Sequence, residues 1–237
     1  MAGMRNRLIL FDVDGTLIDA GGAGRAAMGH AFREVFRVDG VAPAGSVAYA
    51  GRTDPVILEA TAAVLGIDSE RFRSRREELI RVFVRALEDE MRRPDPRRRV
   101  LTGVLPLLET LAAMEHVHLG LVTGNLEAGA RAKLEPFGLN RFFPAGGFGS
   151  DDPDRRRIAR IARERLSERT GIAFAAPDVT VVGDTQHDID CARANGFRAV
   201  AVDSGWVGRE ALERARPDAL LDGLAAPGVL EALGLPA

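Results

Sequence analysis

The sequence predicts an α/β fold: a doubly wound parallel sheet with an all-helical segment inserted after its first strand. Three observations predict it. Arg7-Leu8-Ile9-Leu10-Phe11 is an apolar run long enough for a strand and too short for an ordinary helix. No polar residue alternates within the run after Arg7, so helices should cover both faces, as in a parallel sheet. From Val100 onward, short apolar runs alternate with segments of helical spacing, the rhythm of parallel βα units. Between these regions the chain reads as helix only. The expected division is a core of residues 1–19 and 100–237 and a helical cap of residues 20–99.

Taken in order, Asp12 and Asp14 follow the first strand, and Gly15 lets the chain leave the sheet sharply. Gly21-Gly22 and Gly24 read as a flexible link. Arg25 to Val38 carries Ala27, Met28, Ala31, Phe32, Val35 and Phe36 at helical spacing. Val41 to Tyr49 reads as loop. Gly51-Arg52-Thr53-Asp54-Pro55 reads as a helix start, with Thr53 or Asp54 as N-cap and proline in the first turn. That helix should stop at Gly66, and a long amphipathic helix should run from Ser69 to Met91. Arg92 to Arg99 holds two prolines and reads as a solvated linker. Nucleic-acid binding would call for aromatic residues among its arginines, and there are none.

The core elements follow. Helices are expected over Gly103–Met114, Leu126–Phe137, Asp154–Arg169, Ile189–Asn195, Gly208–Ala215 and Pro227–Leu233. Strands are expected over Val117–Val122, from Phe142-Phe143 toward Phe148, and over Val179–Val182, Arg198–Val202 and Ala219–Leu221. No internal repeat or low-complexity segment interrupts them.

Composition narrows the function. The chain has 237 residues, 46% hydrophobic and 28% charged, the balance of a soluble globular protein. A net charge of -2 offers no basic field for nucleic acid. No apolar stretch is long enough to span a membrane, and Met1 to Arg7 lacks the apolar run of a signal peptide. A cytoplasmic location is the default expectation. Cys191 is the single cysteine, which excludes intrachain disulfides and cysteine-cluster metal sites. Lys133 is the single lysine.

Polar residues cluster at three expected strand ends: Asp12 with Asp14, Thr123-Gly124-Asn125, and Asp184 with Asp188. In an open parallel sheet, such ends converge on one edge. On a strand, the i and i+2 spacing would put Asp12 and Asp14 on one face. Two acids so close repel, and a cation on the first or a proton on the second relieves this. That arrangement sets a nucleophile beside a general acid. Thr123-Gly124-Asn125 precedes a helix, so its backbone N–H groups and hydroxyl suit an anion, phosphate in particular. Asp184 and Asp188, with Asp12, offer hard oxygen ligands that favour Mg²⁺ over zinc.

With these residues placed, the sequence resembles the haloacid dehalogenase superfamily of phosphatases. It looks most like the branch with a helical cap, which includes phosphoglycolate phosphatases and β-phosphoglucomutases. Asp12 to Leu17 meets the family's first motif, Thr123 the second and Gly183 to Asp188 the fourth. The third departs: where close relatives carry Lys-Pro, this chain reads Ser150-Asp151-Asp152-Pro153-Asp154-Arg155-Arg156-Arg157. Arg155 is the expected source of positive charge, with Arg156 next. Lys133 is the rival, but it lies about ten residues beyond Thr123, and most of a helix should separate it from the strand edge. It reads instead as a surface lysine.

The resemblance implies a Rossmann-like core and an Mg²⁺-dependent phosphatase acting on a small phosphorylated metabolite. Asp12 would be the nucleophile and Asp14 the acid and base. Mg²⁺ would sit on Asp12, the Asp14 backbone carbonyl and Asp184, with Asp188 steadying its waters. Thr123, Gly124, Asn125 and Arg155 would hold the phosphoryl group, and Arg52 on the cap would contact substrate. Ser204-Gly205-Trp206 is placed at the cap-facing rim, or Trp206 is a packing residue. His30, His116, His118 and Cys191 are expected to be structural, and His187 makes no metal site with other histidines. The second acid disfavours dehalogenation, and a lysine-free cap disfavours phosphonate hydrolysis through a Schiff base. A phosphomutase is the alternative, and a non-catalytic binding module on the same fold a further one.

Overall fold

The structure, a computed structural model, describes residues 5–38, 42, 45–204 and 206–236. Gly205 and parts of Met1 to Arg7 and of Val41 to Tyr49 lie outside the described residues. The first strand, β1 (Arg7–Phe11), is followed by β2 (Ile18–Ala20) and three helices, α1 (Ala23–Phe36), α2 (Asp54–Val64) and α3 (Ser69–Arg92). After β3 (Arg98–Val100) come α4 (Val104–Ala112), β4 (Val117–Val122), α5 (Glu127–Leu134), β5 (Gly146–Gly147), α6 (Arg155–Thr170) and β6 (Val179–Gly183). The remainder is α7 (Gln186–Ala194), β7 (Arg198–Val202), α8 (Arg209–Ala215), β8 (Ala219–Leu221) and α9 (Val229–Ala232).

Six strands form one sheet in the order β5-β4-β1-β6-β7-β8, and every pairing is parallel. The fold is therefore α/β and doubly wound. Successive residues of β1 point to opposite faces. Ile9 and Phe11 join one buried cluster with Leu108 and Leu111 of α4 and Ala130 and Leu134 of α5. Leu8 and Leu10 join the other, with Ile158 and Ala162 of α6 and Ile189 of α7. Covering both faces is what the unalternated apolar run required. The order reverses at β1: the chain winds outward through β4 on one side and through β6 on the other. Ligands of such sheets bind at the carboxyl ends of the strands at this reversal.

The inserted helices pack on one another. Phe32 and Phe36 of α1 stack with centroids 5.8 Å apart, and Leu79, Phe83 and Leu87 of α3 are buried in the same cluster. Asp68 caps α3 by accepting from the Glu70 and Arg71 amides, which satisfies two otherwise unpaired donors.

Several local expectations need correction. The arginine linker is not structureless: its last residues open β3, which pairs antiparallel with β2, with Asp19 opposite Arg99. Three-residue strands are too short to show a period. Arg98 is tied to Glu90 at 3.2 Å and has a nearly buried side chain, so this part of the arginine run is not solvated. Gly24 lies inside α1. The strand expected toward Phe148 shrinks to Gly146–Gly147, because Leu139–Phe142 turns as a 3-10 helix and Phe143 and Phe148 fill the core. The helix expected from Ile189 begins at Gln186, because Thr185 and Asp188 form a reciprocal capping box. Among the described residues, no helix is long and apolar enough to cross a membrane.

Candidate active site

The site begins where β4, β1 and β6 end side by side. Asp12 leaves β1 with its amide still donating to Val182 of β6 at 2.9 Å. Thr123 leaves β4 with its amide on the Gly147 carbonyl at 3.1 Å. Asp184 follows β6 directly. Strand order thus brings together residues more than a hundred positions apart.

Asp12, Asp184 and Asp188 are all buried, and one oxygen from each lies within 4.8 Å of the others. Two glycines make room for them. Gly15 has φ +78°, and a Cβ there would sit 2.2 Å from Asp184 Oδ2. A Cβ on Gly183 would sit 2.1 Å from Asp188 Cγ. Arg155, buried at the start of α6, donates from Nη2 to Asp188 Oδ1 and lies 3.3 Å from Asp12 Oδ1. Asp188 Oδ2 accepts from the Thr185 amide and hydroxyl, so both its oxygens are engaged.

The electrostatics record the crowding. Burial pushes Asp12 up to about 7; Arg155 opposes this, and Asp188 and Asp14 add to it. Burial, with repulsion from Asp12 and Asp188, pushes Asp184 up to about 8. Burial works against the Arg155 charge, but Asp188 and Asp12 outweigh it and hold the guanidinium above its ordinary value. Asp184 Oδ1 is buried and has no hydrogen-bond partner among the described residues. An orphaned carboxylate oxygen among three crowded acids fits a hard divalent cation. Asp12 and Asp184 have the freest oxygens for one.

Asp14 does not share this cluster. β1 stops at Phe11, so the strand alternation expected to align Asp14 with Asp12 does not reach it. Its Oδ2 instead accepts from Asn125 Nδ2 at 2.8 Å and from Lys133 Nζ at 2.6 Å. Lys133 Nζ also donates to Asn125 Oδ1 at 2.6 Å, and Asn125 Nδ2 donates to Thr123 Oγ1 at 2.8 Å. The Asn125 amide therefore ties Thr123, Asp14 and Lys133 together. Lys133 is buried, which overturns its reading as a surface lysine. Counting rise per residue left out direction: helical side chains lean toward the N-terminus, and a lysine stem reaches back over more than a turn. Arg156 is outside the site, exposed and paired with Asp154 at 2.9 Å.

The helical insertion meets these groups through Gly51 to Asp54. The Asp54 amide donates to the Gly124 carbonyl at 2.7 Å, and Asp54 Oδ2 accepts from the Leu126 amide at 2.9 Å. Burial raises the Asp54 carboxyl to about 6, against the pull of Lys133. Gly51 lies against His187, where a Cβ would come within 2.1 Å of the ring. A partly open cavity of about 440 Å³ has Asp12, Asp14, Thr123, Gly124 and Arg155 in its lining. Met28, Tyr49, Ile57 and Phe83 also line it, as do Arg25 and Arg52. Trp206 lines it too and is 53% exposed, so it is a rim residue rather than a packing one. A hollow of about 560 Å³ beyond Gly51 to Thr53 lacks the acid cluster. Cys191 is buried in the core, and His30 is an exposed partner of Glu34.

Residues 9–202 match the family model of haloacid dehalogenase-like hydrolases. The chain belongs to this family. It is 30% identical over 218 residues to a phosphoglycolate phosphatase of Mesorhizobium japonicum, covering 89% of this chain and 88% of that protein. It is 25% identical over 233 residues to the tyrosine-protein kinase PtkA of Mycobacterium bovis, covering 98% of this chain and 74% of that one. Among solved structures, a predicted phosphoglycolate phosphatase of Haemophilus somnus superposes with a TM-score of 0.71 at 21% identity, over 97% of this chain and 99% of that one. The chain is an enzyme of the phosphatase branch of the haloacid dehalogenase-like hydrolases.

The close approach of Gly124 to Arg52 and Thr53 gives a test. A Cβ on Gly124 would lie 2.3 Å from the Arg52 carbonyl oxygen. Gly124→Ala is expected to lower kcat/KM on an aryl phosphate by about tenfold or more, a barrier increase of about 1.4 kcal/mol. Unchanged kcat/KM would show that this contact is not made during turnover.

Proposed function

We propose that the chain is an Mg²⁺-dependent phosphatase that hydrolyses a small phosphate monoester through an aspartyl-phosphate on Asp12. The observation that carries this reading is the placement of two carboxylates in two settings. Asp12 sits with Asp184, Asp188 and Arg155, while Asp14 sits apart on Asn125 and Lys133. A nucleophile and a proton donor need such different surroundings.

In the first step an Asp12 carboxylate oxygen attacks phosphorus in line. The bond from phosphorus to the leaving oxygen breaks, and Asp14 gives that oxygen a proton. In the second, water attacks the phosphorus of the aspartyl-phosphate, Asp14 takes its proton, and the Asp12 carboxylate is released. Arg155, the Thr123 hydroxyl and the backbone at Gly124 and Asn125 hold the phosphoryl oxygens. Asn125 also anchors Thr123 and Asp14. Mg²⁺, when held by Asp12, Asp184 and the Asp14 backbone carbonyl, supplies positive charge that offsets the phosphoryl charge. Asp188 acts at one remove, by fixing Arg155 and the start of α7.

The helical unit, residues 20–99, is a cap over a core of residues 1–19 and 100–237. Its Gly51 to Asp54 segment closes the cavity and sets Arg52 at the substrate. Phosphoglycolate, named for the relative, is the first substrate to try. The volume also admits larger monoesters. Release of inorganic phosphate to water separates hydrolysis from the phosphomutase reading, which would yield an isomerised sugar phosphate, and from phosphoryl transfer to a protein.

Asp12→Asn is expected to lower turnover of an aryl phosphate with Mg²⁺ by about 10⁴-fold or more, with an unchanged circular dichroism spectrum. Near-normal turnover would remove Asp12 as nucleophile. The raised carboxyls give a second expectation. A carboxyl with a raised pKa in the folded state binds its proton more tightly there. Its contribution to stability is complete below pH 3.8 and is lost as pH rises through about 7 for Asp12 and about 8 for Asp184. Mg²⁺ replaces those protons. Saturating Mg²⁺ is expected to raise Tm by about 5 °C or more near pH 8, and by less near pH 5. An equal shift at both pH values, or none, would contradict Mg²⁺ binding at these acids.

A further inference from the structure

We propose that Lys133 is a positioning residue for the acid–base step: it fixes the Asp14 carboxyl through Oδ2 and leaves Oδ1 to carry the transferred proton. The proposal rests on the phosphatase reading and goes beyond it.

Lys133 is buried, and its ammonium spends two donors on Asp14 Oδ2 and Asn125 Oδ1, both at 2.6 Å. Asn125 Nδ2 reaches the same Asp14 oxygen. Both contacts therefore fall on Oδ2, and Asp14 Oδ1 makes no hydrogen bond among the described residues. A carboxyl held by one oxygen from two directions cannot swing, so its other oxygen keeps one place on the cavity. The seal comes from the cap: a Cβ on Gly24 of α1 would lie 3.7 Å from Lys133 Nζ. Buried ammonium groups persist only when they are paired.

Residue choice supports the same reading. Of 32 basic residues besides histidine, 31 are arginine, and the one lysine stands here. An ammonium points its donors along separate directions from a single atom, whereas a guanidinium is a planar fork. Two acceptors that converge on one nitrogen, both at 2.6 Å, suit the compact ammonium, whose planar replacement would have to place a second nitrogen in the same buried space. Asn125 then links this group to Thr123, so the proton donor and the phosphate-binding hydroxyl share one frame.

The role has a signature that a merely structural lysine lacks. Protonation of the leaving oxygen matters for a poor leaving group and little for a good one. For Lys133→Met, kcat/KM is expected to fall about 100-fold on phenyl phosphate and less than about fivefold on 2,4-dinitrophenyl phosphate. In an Asp14→Asn background, adding Lys133→Met should cost nothing further on phenyl phosphate, because the two act as one unit. Equal losses on the two substrates, or additive losses in the double variant, would overturn the proposal. If Lys133→Met does not fold, Lys133→Arg retains the buried charge and is read by the same pair of substrates, with the same two outcomes. Wild-type protein that releases no phosphate from either substrate would instead defeat the phosphatase reading itself.

Discussion

Everything at the site follows from holding Asp12, Asp184 and Asp188 together out of water with one buried arginine among them. Like charges at that range do not stay together unaided. The sheet forces the meeting: β1 and β6 pair over Leu8 to Phe11, so the residues that leave them must be neighbours. Gly15 and Gly183 leave no side chain in the way, and Arg155 ties Asp188 to Asp12. The unsettled charge is visible in the raised carboxyls of Asp12 and Asp184 and in the orphaned Asp184 oxygen. The polypeptide stores a demand for positive charge at one point, and the proposed Mg²⁺ would meet that demand.

The second half of the site has the opposite character. Asp14 is set into a neutralising frame of an amide and an ammonium. The same frame extends to Thr123, and Asp54 from the helical insertion completes its outer side through the Leu126 amide. On the proposed reading, substrate recognition, proton transfer and cap seating would use one hydrogen-bonded network rather than three separate patches. Such networks gain strength in a low-dielectric setting and lose it when one member is removed.

Much of this was legible in the residues, for a definite reason. Asp12, Thr123 and Asp184 each follow an apolar run that can only be a buried strand, and parallel strands at a topological reversal bring their ends together. Arg155 was reached through the family resemblance, as a basic residue at the place of the third motif. Lys133 was not, because rise per residue says nothing about the direction a long side chain takes. The placement of Asp14 on the same face as Asp12 rested on strand alternation, which stops at Phe11, three residues short of Asp14. The β2–β3 ribbon was hidden because three residues are too few to display a period. The seating of Gly51 on His187 and of Gly124 on Arg52 is a contact between distant segments, and local pattern carries no record of it.

The most direct measurement is a trap of the covalent intermediate. Enzyme mixed with phosphate monoester and Mg²⁺ is quenched in acid within the first turnover, reduced with borohydride and mapped by peptide mass spectrometry. Asp12 alone is expected to be modified, and the signal is expected to disappear when Asp12 is asparagine. A modified residue elsewhere, or full phosphate release with no trapped aspartyl group at any quench time, would contradict this.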